Sequence, residues 1–287
     1  MRPTKAVIPA AGLGMRFLPA TKAQAKEMLT LVDRPAIHYV VEEAVAAGIR
    51  SFLIITARNK TAIEDYFDAS PELERALREK GEEALVEEIH ALSELAQMHY
   101  LRQPRPLGLG HAVFLARAFV GEEDFAVVLP DDLITAGEPC LGQMLAVRER
   151  WPGAVVALQE VAPDMTSRYG IVKAVEVEPD VYRIEDLVEK PSPERAPSRL
   201  AVVGRYILPA SIFPLLATTA PGTGGEIQLT DALRLLAREY PVYGYRFRGR
   251  RFDLGDKLGF LQATVTLALG RPDLGPALRE FLRGSIF

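Results

Sequence analysis

An α/β fold with a mixed, mostly parallel central sheet flanked by helices is what this sequence of 287 residues predicts. Two observations carry that expectation. Through the first half, apolar runs of about four to six residues alternate with amphipathic segments, the pattern of buried parallel strands in βαβ units. After Trp151 the pattern changes to strand-like stretches divided by Pro and Gly, which reads as a β-rich elaboration of the same domain.

The first run, residues 6–9, reads as a strand that enters a glycine turn. A helix is expected over 36–47, a strand over 52–56 and a short helix over 60–67. The stretch 71–96, dense in Glu, Arg, Leu and Ala, reads as a helical excursion from the sheet with a solvated charged face. A strand near 98–102, a helix over 109–118 and a strand over 125–129 complete the alternating half. Strands are then expected over 154–160, 171–177, 181–188 and 200–207. Helical periodicity returns over 229–239 and from 257 to the end. With no repeat and no low-complexity linker, the sequence divides into one domain over 1–262 and a C-terminal helical tail over 263–287 that could contact another subunit.

Composition removes several classes of function. The formal net charge is −4 and the pI about 5.7, so no global positive field favours nucleic acid or an anionic membrane. Cys140 is the only cysteine, which excludes an internal disulfide and a cysteine-rich zinc site. His38, His90, His99 and His111 lack ligand spacing and read as packing, surface or capping residues. No stretch reaches the roughly 20 apolar residues of a membrane span, and the apolar start is too short for a secretory signal, so the cytoplasm is the expected location.

The turn Ala10-Ala11-Gly12-Leu13-Gly14 is the most informative segment. Small residues after a first strand let backbone N–H groups approach phosphate oxygens closely. The third glycine of a dinucleotide fingerprint is missing, since Phe17 stands there, and no P-loop occurs. Arg16 and Lys26 follow the turn, and converging guanidinium and ammonium groups suit a polyphosphate. Taken alone, a glycine pair of this kind is more often a simple turn. Asp131 and Asp132 close the run 125–129, at the strand end where α/β sheets bind ligands. Paired acids there suit a hard cation such as Mg²⁺, or else cap a turn.

Residues 10–29, A-A-G-L-G-M-R-F-L-P-A-T-K-A-Q-A-K-E-M-L, resemble the signature of the sugar nucleotidyltransferase superfamily, in particular the bacterial UTP–glucose-1-phosphate uridylyltransferases. Met15 stands where that family usually has Thr, and Ala25 where it usually has Pro, departures that leave the charges intact and imply altered kinetics at most. The resemblance continues through E-K-P at 189–191 and G-E-I-Q-L-T-D at 225–231. It implies a Rossmann-like fold of the nucleotide-diphospho-sugar transferase type, with Mg²⁺ held by Asp131 and Asp253. It also implies that Ala10, Ala11, Gly12, Gly14, Glu27, Gln103 and Gly108 bind the nucleotide. Asp132, Gly170, Glu189, Lys190 and Glu226 then fall at the sugar, with Arg16, Lys26 and Lys190 the catalytic cations. The implied reaction is attack of glucose 1-phosphate on the α-phosphorus of UTP, by an enzyme that forms homodimers or homotetramers. A thymidylyltransferase or other nucleotidyltransferase for a related sugar phosphate, and a non-catalytic nucleotide-sugar sensor, are the alternatives.

Overall fold

The computed structural model describes residues 2–286; Met1 and Phe287, the outermost residues of the expected domain and tail, lie outside the described residues. The strands are Lys5–Pro9 (β1), Thr30–Leu31 (β2), Arg34–Pro35 (β3), Ser51–Thr56 (β4), Gln97–Arg102 (β5), Phe125–Val128 (β6) and Asp132–Thr135 (β7). Beyond Trp151 follow Ala154–Glu160 (β8), Gly170–Glu178 (β9), Val181–Glu189 (β10), Leu200–Leu208 (β11), Val242–Arg246 (β12) and Arg250–Asp253 (β13). The helices are Ala36–Ala46 (α1), Thr61–Phe67 (α2), Pro71–Glu79 (α3), Glu83–Ser93 (α4), Leu109–Leu115 (α5), Arg117–Val120 (α6) and Cys140–Arg150 (α7). Ile212–Thr218 (α8), Leu229–Glu239 (α9), Lys257–Gly270 (α10) and Gly275–Ile286 (α11) complete them.

Nine strands form one sheet in the order β5-β4-β1-β6-β11-β8-β12-β10-β9. Only β10 and β11 run against the rest, since β11 is antiparallel to β6 and β8, and β10 to β12 and β9. The parallel quartet β5, β4, β1 and β6 therefore delivers its four carboxyl ends to one edge. That edge receives the turn from Ala10, the segment before Lys60, Gln103, and the Asp131-Asp132 pair. Apolar residues cover both faces of the sheet: Ile8, Ile54 and Val128 lie in one core, Val7, Ile55 and Val127 in the other, which is why these strands read as continuous apolar runs.

The stretch 71–96 departs from a single helical excursion. Gly81, at φ +74°, ends the first helix in the left-handed region, and α4 restarts two residues later. The short pair β7–β13 went unread because four residues each are too few to show a period. This small ribbon nevertheless places Asp132 opposite Asp253.

Under the carboxyl end of β6 lies a buried ion pair. The Arg205 side chain on β11 is 0% exposed and meets the Glu43 carboxylate of α1 at 2.6 Å. Its remaining N–H groups donate to the carbonyls of Leu129 (3.2 Å), Gly204 (3.0 Å) and Asp132 (2.8 Å). One guanidinium thereby clamps both ends of the turn carrying the paired acids. Removing one partner strands a buried charge, so Arg205→Leu is expected to lose about 3–5 kcal/mol of stability in urea titration. Arg205→Leu with Glu43→Leu recovers only the part due to the stranded carboxylate, since the three carbonyls still lose their donor.

Candidate active site

The glycine turn owes its shape to close packing from within. Gly14 sits at φ +67°, and a methyl there would lie 3.1 Å from Thr21 Cβ, while Thr21 Oγ1 donates to the Gly14 carbonyl at 2.7 Å. Beneath the turn, Lys60 Nζ donates to the Ala10 carbonyl (2.5 Å) and to Glu27 Oε2 (2.8 Å). Both side chains are buried, Glu27 at 1% exposure. Burial pushes the Glu27 carboxyl up and the Lys60 amine down, against the attraction between them. Glu27, expected at the nucleotide, instead lies under the loop and braces it through Lys60.

Lys26 rises from the turn to pair with Asp131 Oδ2 at 2.6 Å. Burial works against both charges, but their mutual attraction outweighs it, holding the Lys26 amine above and the Asp131 carboxyl below their ordinary values. Asp132 faces the other way. Its Oδ1 takes the Arg251 guanidinium and its Oδ2 the Gly204 N–H at 2.8 Å. Burial still pushes Asp132 upward, only partly offset by Arg251. With both oxygens committed, Asp132 is held by Arg251 as a lining residue of a cavity.

Asp253 ends β13 and accepts from Arg168 (3.3 Å) and from the Gly255 N–H (2.9 Å). A methyl built on Gly255 would stand 3.0 Å from Asp253 Oδ1, 3.1 Å from Arg16 Nη1 and 3.7 Å from Asp131 Oδ2. Two carboxylates and a guanidinium thus converge on one glycine. Among the described residues no group of three or more His, Cys, Asp or Glu side chains forms a metal site. Two hard oxygen donors fit Mg²⁺, which takes one or two carboxylates and completes its shell with substrate phosphates and water.

Two cavities meet across these acids. The first, of about 350 Å³, is lined by Gly12, Lys26, Gln103, Gly108, Asp131 and Glu226 among others. Met15, in place of the usual Thr, lines its mouth and is 71% exposed. The second, of about 290 Å³, is lined by Arg16, Asp131, Asp132, Glu189, Lys190 and Asp253 among others. Gly170 is there because a side chain would meet Thr230 Oγ1 at 2.8 Å and Glu189 Oε2 at 3.3 Å. It pairs with Glu189 across β9 and β10. Lys190 adopts φ +47°, unusual for a non-glycine, and its amine lies 3.3 Å from Glu189 Oε1. Leu109, Leu129, Asp131 and Glu226 border both cavities.

The structure thus gathers the expected residues at one edge, except that Glu27 lies beneath the loop and Ala10 is fully buried. Sequence reading missed Lys60, Arg168, Arg205 and Arg251. Arg251, only 8% exposed in its side chain, stacks its guanidinium 5.1 Å from the Tyr169 ring as well as pairing with Asp132. The one sequence signal for it was its place two residues before Asp253.

A twisted α/β sheet presenting a glycine turn, converging cations and paired acids to a bipartite cleft defines a phosphoryl-group transferase of the nucleotide-binding type. The chain belongs to the nucleotidyl transferase family, whose model, described as "Nucleotidyl transferase", matches residues 5–269. It is 52% identical over 282 residues to the UTP–glucose-1-phosphate uridylyltransferase YngB of Bacillus subtilis, covering 98% of this chain and 95% of that one. It resembles the UTP-bound UGPase structure from Acinetobacter baumannii with a TM-score of 0.92 at 44% identity, over 99% and 100% of the two chains. A UDP-glucose pyrophosphorylase crystallised with UDP-glucose matches with a TM-score of 0.87 at 42% identity, over 94% and 100%.

The floor of the second cavity gives a direct test. A methyl on Gly204 would fall 2.4 Å from Asp132 Oδ2, whereas one on Gly137 meets nothing within 4 Å. Gly204→Ala is expected to lower unfolding free energy by about 2–4 kcal/mol through overpacking and the lost charge-assisted hydrogen bond. Gly137→Ala should stay within about 0.5 kcal/mol. Urea midpoints of the two variants read the difference.

Proposed function

We propose that this chain transfers a uridylyl group from UTP to glucose 1-phosphate, giving UDP-glucose and pyrophosphate. The observation that carries the reading is the meeting of two cavities at Asp131, one under the glycine turn and the other under Glu189 and Lys190. The nucleotide occupies the first cavity, beside the glycine turn, and the sugar phosphate the second, beside Glu189 and Lys190. The relatives named as uridylyltransferases and the neighbouring structures with UTP and UDP-glucose support the substrate pair.

A phosphate oxygen of the sugar attacks the α-phosphorus. The bond from that phosphorus to the bridging oxygen breaks, and the pyrophosphate leaves with the bonding pair. The attacking oxygen is anionic at neutral pH, so no general base is needed, and catalysis rests on positioning and charge neutralisation. Lys190 holds the sugar phosphate, Lys26 the α-phosphate, and Arg16 the departing pyrophosphate. Gly170 and Glu189 receive the hexose hydroxyls. Asp131 and Asp253 would hold Mg²⁺, which supplies positive charge between the two polyanions when bound. No helix among the described residues is long and apolar enough to cross a membrane, which fits an enzyme of the cytoplasm.

Pyrophosphate release by the purified protein tests the reading. Several nucleoside triphosphates should be crossed with several sugar 1-phosphates, with magnesium or chelator. Fast release is expected with UTP and glucose 1-phosphate and none under chelator. Preference for dTTP or another sugar would reassign the substrate, and no turnover with any pair would sink the catalytic reading. Lys190→Ala removes a charge-assisted contact worth about 1.5–3 kcal/mol, so the KM for glucose 1-phosphate should rise about tenfold or more while that for UTP moves little. An unchanged sugar-phosphate KM and kcat would refute its role.

A further inference from the structure

The Gln103 amide, which lines the first cavity where the nucleotide base is proposed to lie, is held in one orientation by the Gly108 carbonyl and by His111. Gln103 follows β5 and is 7% exposed. Its Nε2 lies 3.2 Å from the Gly108 carbonyl and 2.9 Å from His111 Nδ1. A carbonyl can only accept, so the amide nitrogen must face Gly108, and the flipped amide would oppose oxygen to oxygen. The second amide hydrogen then goes to His111 Nδ1. That nitrogen can accept only when the imidazole is neutral and carries its proton on Nε2. Burial holds the His111 pKa below its ordinary value, which favours that neutral form.

The carbonyl in this lock is itself immobile. Gly108 sits at φ +99°, and a methyl there would come within 2.7 Å of Glu226 Cβ and 2.8 Å of the Ile227 carbonyl. The Ile227 carbonyl accepts from Gly110 at 2.8 Å, and the Ile227 N–H donates to the Leu107 carbonyl at 2.8 Å. With both amide hydrogens spent, Gln103 has only its oxygen to offer a base.

We propose that His111, together with the Gly108 carbonyl, is a specificity-determining positioning residue. It fixes Gln103 as a pure hydrogen-bond acceptor, so the cavity selects pyrimidines that carry a ring N–H at N3. Uracil presents that donor. Cytosine has a lone pair at the same atom, and 3-methyluracil a methyl group. Thymine keeps the N–H, so this device separates UTP from CTP and leaves UTP against dTTP to other contacts. The inference rests on the uridylyl-transfer reading above.

The test compares UTP, CTP and 3-methyl-UTP as substrates of the wild type, His111→Leu and His111→Asn, with glucose 1-phosphate saturating. Leucine removes the second acceptor, leaving one amide hydrogen unspent and the Gly108 carbonyl alone to hold the amide, whereas the asparagine oxygen can stand where Nδ1 stood. For His111→Leu the UTP-over-CTP ratio of kcat/KM should fall about tenfold, the scale of one lost hydrogen bond, and the loss should appear mainly in KM. His111→Asn should restore most of the ratio. In a Gln103→Met background, adding His111→Leu should change the ratio no further. If His111→Leu keeps the wild-type ratio, or lowers all three nucleotides equally, the proposal is overturned. Nitrogen-15 NMR of the wild type reads the imidazole without any variant: a proton on His111 Nδ1 at neutral pH would overturn it even if the variants fail to fold. A wild type that ignores UTP would remove the uridylyl reading and this inference together, whereas a UTP-specific wild type with an indifferent His111→Leu removes this inference alone.

Discussion

Burying negative charge at the carboxyl edge of a sheet is the constraint on which this site depends. Asp131, Asp132 and Glu27 are carboxylates drawn into a packed α/β edge, and a buried charge is tolerated only when paired and hydrogen-bonded. Each has its own cation: Lys26 for Asp131, Arg251 for Asp132 and Lys60 for Glu27. Arg205 and Glu43 form a further pair below, and that guanidinium also satisfies the carbonyls of the acidic turn. The geometry of this edge is thus set by ion pairs in which Lys60, Arg205, Glu43 and Arg251, half of the members, lie outside the residues the sequence singled out.

This arrangement separates two neighbouring acids that the sequence presents as equivalents. Asp131 is half-exposed, borders both cavities and has one flexible ammonium as its partner, so phosphate or a cation can compete for it. Asp132 is buried, with one oxygen on a guanidinium and the other on a backbone N–H. The first is placed to exchange partners during a reaction, and the second is placed to stay. Their difference follows from the chain path: Asp131 lies in the turn, whereas Asp132 is the first residue of β7 and is held by that strand's packing.

The same contrast explains what could be read in advance. Strands β1, β4 and β6 showed themselves as apolar runs because both faces are buried, and the glycine turn because small residues are needed for close approach. The α3–α4 break was signalled only by Gly81, which a helical reading tolerates as a single weak residue. Lys60, Arg205 and Arg251 left no local trace: each meets its partner across 33 residues or more, as in Lys60 with Glu27, 162 for Arg205 with Glu43 and 119 for Arg251 with Asp132. Pairings of that range are set by topology, and a single sequence does not display them. Glu27 shows the related limit that a motif marks a residue without recording that its carboxylate faces Lys60 beneath the loop.

One consequence of the topology reaches across the cleft. Leu107 and Gly110 exchange backbone hydrogen bonds with Ile227, and Gly108 packs against Glu226 with no room for a side chain. The segment beside Gln103 and the segment carrying Glu226, which borders both cavities, are therefore one packed unit. The two cavities thus share a wall at Glu226 that backbone contacts from Leu107 and Gly110 to Ile227 hold in place.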